Sequence, residues 1–272
     1  MEMPINKEHS IMAIINITPD SFYKKSRCLD KTALQKQLNI LKKEDIDILD
    51  IGAFSSRPNC NFISKEEELN RIIPALQIIK TTIPQIKISI DTFRSEVAEE
   101  CIKNFNIDII NDISGGTFDK NMYNVVAKHQ KEYVLTHIKG TLQTMHIKEN
   151  TTYKNLIGDM LAFFEEKINM LTKYGCKNII IDPGFGFAKT TEQNYILLKN
   201  LHLFKKWGFP LLVGFSRKSM IWKIIEKTPE NALNGTTVLN TLALTQGANI
   251  LRVHDVKEAN ETIKLFKTYN NA

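Results

Sequence analysis

The sequence predicts an α/β protein, a single (β/α)8 TIM barrel spanning residues 1–272 as one domain. Three observations predict it. Eight short apolar runs alternate with stretches of helical spacing, at roughly 30 residues per unit, the size of a βαβ crossover. No linker, low-complexity tract or composition break divides the chain. Nearly every apolar run ends in a polar side chain: Asn16, Ser56, Asp91, Asn111, His137, Asp182, Lys218, and Arg252 with His254. In a barrel these tips converge on the face where barrel active sites lie. An open doubly wound sheet is the runner-up, but it gathers ligand groups on a few loops near one switch point.

The elements follow in order. Residues 11–17 form the first apolar run, and 31–43 have helical spacing through Ala33, Leu34, Leu38 and Leu41. Residues 46–51 predict the second strand, before Gly52-Ala53-Phe54-Ser55-Ser56-Arg57-Pro58. Residues 66–81 predict a helix, with Ser64 as N-cap and Glu67 completing a capping box. Strand three is 87–90, ending at Asp91-Thr92, and strand four is 107–110, ending at Asn111-Asp112. Helices fill 94–105 and 119–129, and strand five, 133–135, runs to His137 and Gly140. A long helix covers 153–174. Ile179-Ile180-Ile181 reads as a strand buried on both faces, stopped at Asp182-Pro183 because proline offers no ladder N–H. Gly184 and Gly186 then let the chain turn sharply toward Lys189; the Gly-x-Gly-x-x-Lys spacing misses the dinucleotide fingerprint. Helix 191–206, strand 210–213, two helical segments split near Thr228-Pro229, strand 249–251 and a final helix complete the series.

Composition bounds the function. Hydrophobic content of 43% and charged content of 24% fit a globular protein, and the apolar runs fall short of a membrane span. Met1 to Ser10 is polar, without a signal-peptide core, so a cytoplasmic protein is expected. The four cysteines, Cys28, Cys60, Cys101 and Cys176, have neither zinc nor disulfide spacing and read as reduced packing residues. The net charge of +6 comes from lysines spread along helices, a solvated surface rather than a nucleic-acid patch. Arginine is scarce, and Arg57, Arg217 and Arg252 fall just after strands, where paired donors suit phosphate or carboxylate.

Sorting the tips by chemistry gives two ends. Asp91, Asn111 and Asp182 offer carboxylate and amide edges suited to a flat heterocycle carrying N–H and NH2 groups, and Lys218 can donate to a ring oxygen or nitrogen. Arg57, Arg252 and His254, with neutral Asn16, form a cationic cluster suited to a diphosphate. Each alone has a bland alternative: Asp91 capping a helix, Asn111 a turn, His254 at the surface. Neither a Gly-x-Ser-x-Gly elbow nor a zinc cluster is present among the six histidines.

These residues identify a resemblance. The chain resembles the dihydropteroate synthase family over essentially its whole length, through Asn16-Ile17-Thr18-Pro19-Asp20-Ser21-Phe22, Ser55-Ser56-Arg57-Pro58, Ser89-Ile90-Asp91-Thr92, Asn111-Asp112-Ile113, Asp182-Pro183-Gly184-Phe185-Gly186-Phe187, Ser216-Arg217-Lys218-Ser219 and Arg252-Val253-His254-Asp255. The resemblance implies joining 4-aminobenzoate to 6-hydroxymethyl-7,8-dihydropterin diphosphate, with a Mg2+ requirement and a homodimer formed through the last barrel helices. It implies that Asp91, Asn111, Asp182 and Lys218 read the pterin, with Asp91, Asp182 and Lys218 the catalytic set. It places Asn16, as metal ligand, with Arg57, Arg252 and His254 at the diphosphate, and Ser56, Pro58, Phe187, Lys218 and Ser219 near aminobenzoate. Three loops depart from the family pattern: Tyr23-Lys24-Lys25-Ser26 replaces Ser-Asp-Gly-Gly, Ala53-Phe54-Ser55-Ser56 replaces Gly-Glu-Ser-Thr, and Thr136-His137-Ile138-Lys139-Gly140 replaces Met-His-Met-Gln-Gly. Two other readings stand beside this one: a methyltetrahydrofolate-dependent methyltransferase, and a non-catalytic pterin-binding barrel.

Overall fold

The side chains of a strand alternate between faces, so the pairing register decides which of them enter the barrel. The computed structural model describes residues 8–17, 31–54 and 63–272. Its strands are β1 (Ser10–Asn16), β2 (Ile48–Gly52), β3 (Lys87–Asp91), β4 (Ile109–Asp112), β5 (Glu132–Thr136), β6 (Ile179–Asp182), β7 (Leu212–Val213) and β8 (Ile250–Val253). All pairs are parallel, and β1 lies between β2 and β8. The ring closes through a parallel bridge of Ile181 to Leu211, with the Ile181 amide donating to the Pro210 carbonyl at 2.9 Å. Closure rules out the open sheet.

The helices are α1 (Lys31–Leu41), α2 (Lys65–Thr82), α3 (Ser95–Phe105), α4 (Met122–Lys128), α5 (Lys148–Thr151), α6 (Leu156–Lys173), α7 (Thr191–Lys199), α8 (Ser219–Trp222), α9 (Leu233–Thr245) and α10 (Val256–Asn270). Ser64 caps α2 by accepting from the Glu67 amide at 3.2 Å, but Glu67 itself pairs with Arg71 one turn on, so the reciprocal half of the expected box is lost. A complete capping box starts α7 instead, between Thr190 and Gln193. The helix expected over 153–174 starts at Leu156, capped by Asn155. The helix expected over 191–206 tightens after Asn200 into a 3-10 turn, Leu201–Trp207.

Outward residues such as Ile15, Leu49, Ile90, Leu135 and Val213 join the helices in the main core. Inward, Met12, Ile48, Ile109, Val134, Ile180, Leu212 and Ile250 form a separate apolar layer inside the barrel. Two residues further along the strands the inward positions turn polar: Asp50, Ser89, Asn111, Thr136, Asp182 and Arg252. That change of chemistry sets the floor of the site. Cys101 and Cys176 are buried free thiols, while Cys28 and Cys60 lie outside the described residues.

Candidate active site

Asp50 anchors the floor. Its Oδ2 accepts from Asn111 Nδ2 at 3.1 Å and from Arg252 Nε at 2.7 Å. Arg252 Nη2 donates to Asp91 Oδ2 at 2.8 Å, so the guanidinium is held between two carboxylates from β2 and β3. Asn16 joins this group at the end of β1. Asn16 Oδ1 and Asp91 Oδ2 both border Gly52, each 3.6 Å from where a Cβ would stand, an ordinary contact distance. Gly214, just after β7, lies beside Arg252 and Lys218 in the same way, at 3.8 Å from Arg252 Cβ and 3.9 Å from Lys218 Nζ.

The other half of the mouth belongs to the loops after β6 and β7. Asp182 is buried, and its Oδ1 accepts from the Gly184 amide at 2.8 Å. Lys218 Nζ donates to the Phe185 carbonyl and sits 4.6 Å from the centre of the Phe187 ring. Ser219, the first residue of α8, is exposed beside it. His254 Nδ1 lies 2.9 Å from Ser216 Oγ, which also receives the His254 amide at 3.2 Å. The structure thus brings together Asn16, Asp91, Asn111, Asp182, Phe187, Lys218, Ser219, Arg252 and His254. Ser56, Arg57 and Pro58 lie outside the described residues.

Burial tunes these groups. It pushes the Asp91 carboxyl up to about 7, against the pull of Arg252. It raises Asp182, with Lys218 the main opposing charge. It lowers the Lys218 ammonium to about 8, opposed by Asp182. It lowers His254 to about 3, reinforced by Arg252, Arg217 and Lys218. Burial and the neighbouring cations thus work against the charged form of His254, and Arg252 already has two carboxylate partners, so the free site is less cationic than its residue types imply.

Of two other strand-end residues, Arg217 grips a carboxylate with paired donors as expected, and the expectation for His137 is corrected. The carboxylate that Arg217 grips belongs to the protein itself. Arg217 Nε and Nη2 donate to Asp255 at 2.8 and 2.7 Å, and its Nη1 to the Pro229 and Glu230 carbonyls at 3.0 and 2.6 Å. It clasps the β7 loop to the β8 loop. His137 follows inward Thr136 and so points outward, edge-on to Phe163 at 4.9 Å between ring centroids, with Lys189 Nζ 3.0 Å from its Nδ1.

Sequence reasoning missed Asp50, whose signal was a carboxylate in the middle of the Ile48-Leu49-Asp50-Ile51 strand. It also missed an apolar pad beside the mouth: Phe93, Ile113, Ile138, Leu142, Met145 and Ala188, with Phe54, Phe118 and Phe187 packed against it. Those residues come from five different loops, so no single stretch advertises them.

Among the described residues no group of three His, Cys, Asp or Glu side chains could hold a metal ion. With Asp91 Oδ2 taken up by Arg252, Asn16 Oδ1 at the end of β1 offers one neutral oxygen, which suits a hard cation bound chiefly through water and substrate phosphates. In that respect the residues fit the expected Mg2+.

Comparison with known proteins places the chain in a family. A family model described as pterin binding enzyme matches residues 12–254. A dihydropteroate synthase from Synechocystis is 41% identical over 262 residues, covering 95% of this chain and 89% of the relative. A dihydropteroate synthase from Bacillus subtilis is 36% identical, covering 96% of this chain and 88% of its own. Among solved structures, a Yersinia pestis dihydropteroate synthase in a sulfonamide complex superposes with a TM-score of 0.89 at 32% identity, covering 97% of this chain and 95% of that one. A Clostridium difficile dihydropteroate synthase crystallised with pteroic acid gives 0.87 at 34% identity, covering 98% and 99%.

Proposed function

The chain belongs to the pterin-binding enzyme family, and we propose that it condenses 6-hydroxymethyl-7,8-dihydropterin diphosphate with 4-aminobenzoate, giving 7,8-dihydropteroate and diphosphate in folate biosynthesis. One observation carries this reading: a buried layer in which Asp50, Asn111, Asp182 and Arg252 face inward together, next to Asp91 and Lys218. An acceptor-rich floor beside two cations matches a pterin ring on one side and a departing anion on the other.

Asp182 and Asn111 accept and donate along the pterin edge, and Lys218 donates to the ring from above the Phe187 face. The carbon–oxygen bond breaks with its electron pair leaving on diphosphate, and the pterin methylene cation that remains is attacked by the aromatic amine, which then loses a proton. Arg252, Arg57 and His254 stabilise the leaving charge. Asp91, its carboxyl pushed up to about 7 by burial, can take a proton and loosen its hold on Arg252 Nη2, which turns toward the diphosphate while Asp50 keeps Nε. The apolar pad around Phe93 and Ile113 keeps water from the cation. Ser56, Pro58, Phe187, Lys218 and Ser219 border the aminobenzoate. Asn16 would hold Mg2+ when the ion is bound, and the ion would supply charge neutralisation at the diphosphate.

The proposal extends to a cytoplasmic homodimer. Val238 and Leu242 on α9, and Leu265 and Tyr269 on α10, are exposed apolar pairs one turn apart, which supports association through these helices. The test of function is direct: purified protein with pterin diphosphate, aminobenzoate and Mg2+, followed for dihydropteroate and diphosphate. Pterin binding without product would favour a non-catalytic barrel, and loss of the methyl group from added methyltetrahydrofolate, with no diphosphate released from pterin diphosphate, would favour methyl transfer.

A further inference from the structure

Lys189 is a buried group near the mouth that this mechanism leaves without a role. It is 5% exposed, and its Nζ lies 3.0 Å from each of three partners: His137 Nδ1, the Gly184 carbonyl and the Phe187 carbonyl. Both protonation states satisfy this arrangement. An ammonium donates three bonds; a neutral amine donates two to the carbonyls and accepts the third from an Nδ1–H.

The loop so gripped is intrinsically unfavourable. Gly184, Gly186 and Ala188 all have positive φ, of 70°, 82° and 51°, and Ala188 pays the left-handed penalty of an L side chain. Such a conformation persists only where the surroundings over-determine it. Here they do. Tyr153 Oη donates to the Ala188 carbonyl at 2.9 Å, and Asn194 Oδ1 receives the Gly186 amide at 2.7 Å. With Lys189, these bonds hold the loop at Gly184, Gly186, Phe187 and Ala188 in turn. On the mouth side the same loop presents Asp182, through its bond to the Gly184 amide, and Phe187, under Lys218.

We infer that Lys189, braced by His137, is a positioning residue for the condensation, holding the loop so that Asp182 and Phe187 meet both substrates in one geometry. The inference rests on the proposed function. Burying an amine is costly, and a plain turn needs none. What the amine adds is a fixed Phe187 carbonyl, hence a fixed Phe187 ring at the aminobenzoate side. Asp182 keeps its own bond to Gly184, so the aminobenzoate side depends on Lys189 more strongly.

The test compares Lys189→Met, His137→Leu and His137→Asn with the native protein, measuring kcat, both KM values and thermal midpoints. Asparagine can offer its amide oxygen or nitrogen near the Nδ1 position, so it serves either protonation state. For Lys189→Met the expected result is an aminobenzoate KM raised about 10-fold, the effect of roughly 1.4 kcal/mol. The pterin diphosphate KM should change less, and kcat/KM should fall ~10²-fold, as for a displacement of about 1 Å. His137→Leu should shift the same parameters in the same direction, and His137→Asn should restore them. Native kinetics in Lys189→Met with only a lower midpoint would overturn the inference, as would His137→Asn being as impaired as His137→Leu. If Lys189→Met fails to fold, the His137 pair decides. A native protein that forms no dihydropteroate would refute the proposed function instead, a result these variants cannot imitate.

Discussion

His254 shows how far a residue's surroundings can change its chemistry. Its imidazole is pushed down to about 3 by burial and by Arg252, Arg217 and Lys218, whereas in the unfolded chain it titrates near 6.5. Its contribution to stability is therefore present above pH 6.5 and is lost as pH falls toward 3. A bound diphosphate reverses the local charge and favours the imidazolium. Calorimetry of diphosphate binding at pH 7, in buffers of different ionisation enthalpy, should show proton uptake that is smaller in His254→Gln, the remainder falling to Asp91. Equal uptake in both proteins would remove His254 from the anion site. At the pterin end, Asp182→Ala should keep the fold and lower kcat/KM by ~10⁴, because the substrate's hydrogen-bonding edge loses its buried partner. Near-normal turnover would contradict the assignment.

At the scale of elements, the loop after β7 joins two functions that its sequence runs together. Ser216-Arg217-Lys218-Ser219 reads as one basic stretch, yet Lys218 faces the mouth while Arg217, 5% exposed, locks onto Asp255 and the Pro229 and Glu230 carbonyls. Arg217 also sits at a φ of 58°, a conformation its four bonds sustain. Replacing it by methionine strands the Asp255 carboxylate and takes a donor from two carbonyls, and breaking a buried pair this way costs about 3–5 kcal/mol. Urea unfolding of Arg217→Met should show that loss. A loss below about 1 kcal/mol would mean that the clasp behaves like a surface pair. Much of the β6 loop was legible: Asp182 and Phe187 were named from the strand end and the motif. Lys189 was visible as a residue but its use was not, since its partner His137 lies 52 residues away.

For the whole molecule, charge balance predicts an order of events. Without substrate, Arg252 is neutralised by Asp50 and Asp91, so the anion site must be opened by a competing negative charge. The segments after β1 and β2, residues 18–30 and 55–62, carry Arg57, Ser56 and Pro58 and lie outside the described residues. We expect the pterin diphosphate to bind first, and aminobenzoate only afterwards. Titrating aminobenzoate into free protein should give far weaker binding than titrating it into protein holding a pterin, diphosphate and Mg2+. Equal affinities would refute the order. Withholding Mg2+ should weaken the second titration. If Lys24 and Lys25 engage diphosphate directly, Mg2+ will matter little.

The amino-acid sequence by itself determined the eight-unit repeat, the polar strand ends and the family motifs, because apolar periodicity and glycine–proline punctuation are local. It therefore placed Asp91, Asn111, Asp182, Lys218 and Arg252 at the correct end of the barrel. Tertiary structure decided which way each tip faces and what charge it keeps. His137 and Asp182 both lie at strand ends, but the pairing register turns one outward and the other inward. Asp50 reads as one acid in an apolar strand until Arg252, 202 residues away, closes on it. His254 reads as a cation until burial is known. Facing follows from which strands pair, and ionisation from what surrounds a group in space; both are set by contacts between residues far apart in the chain.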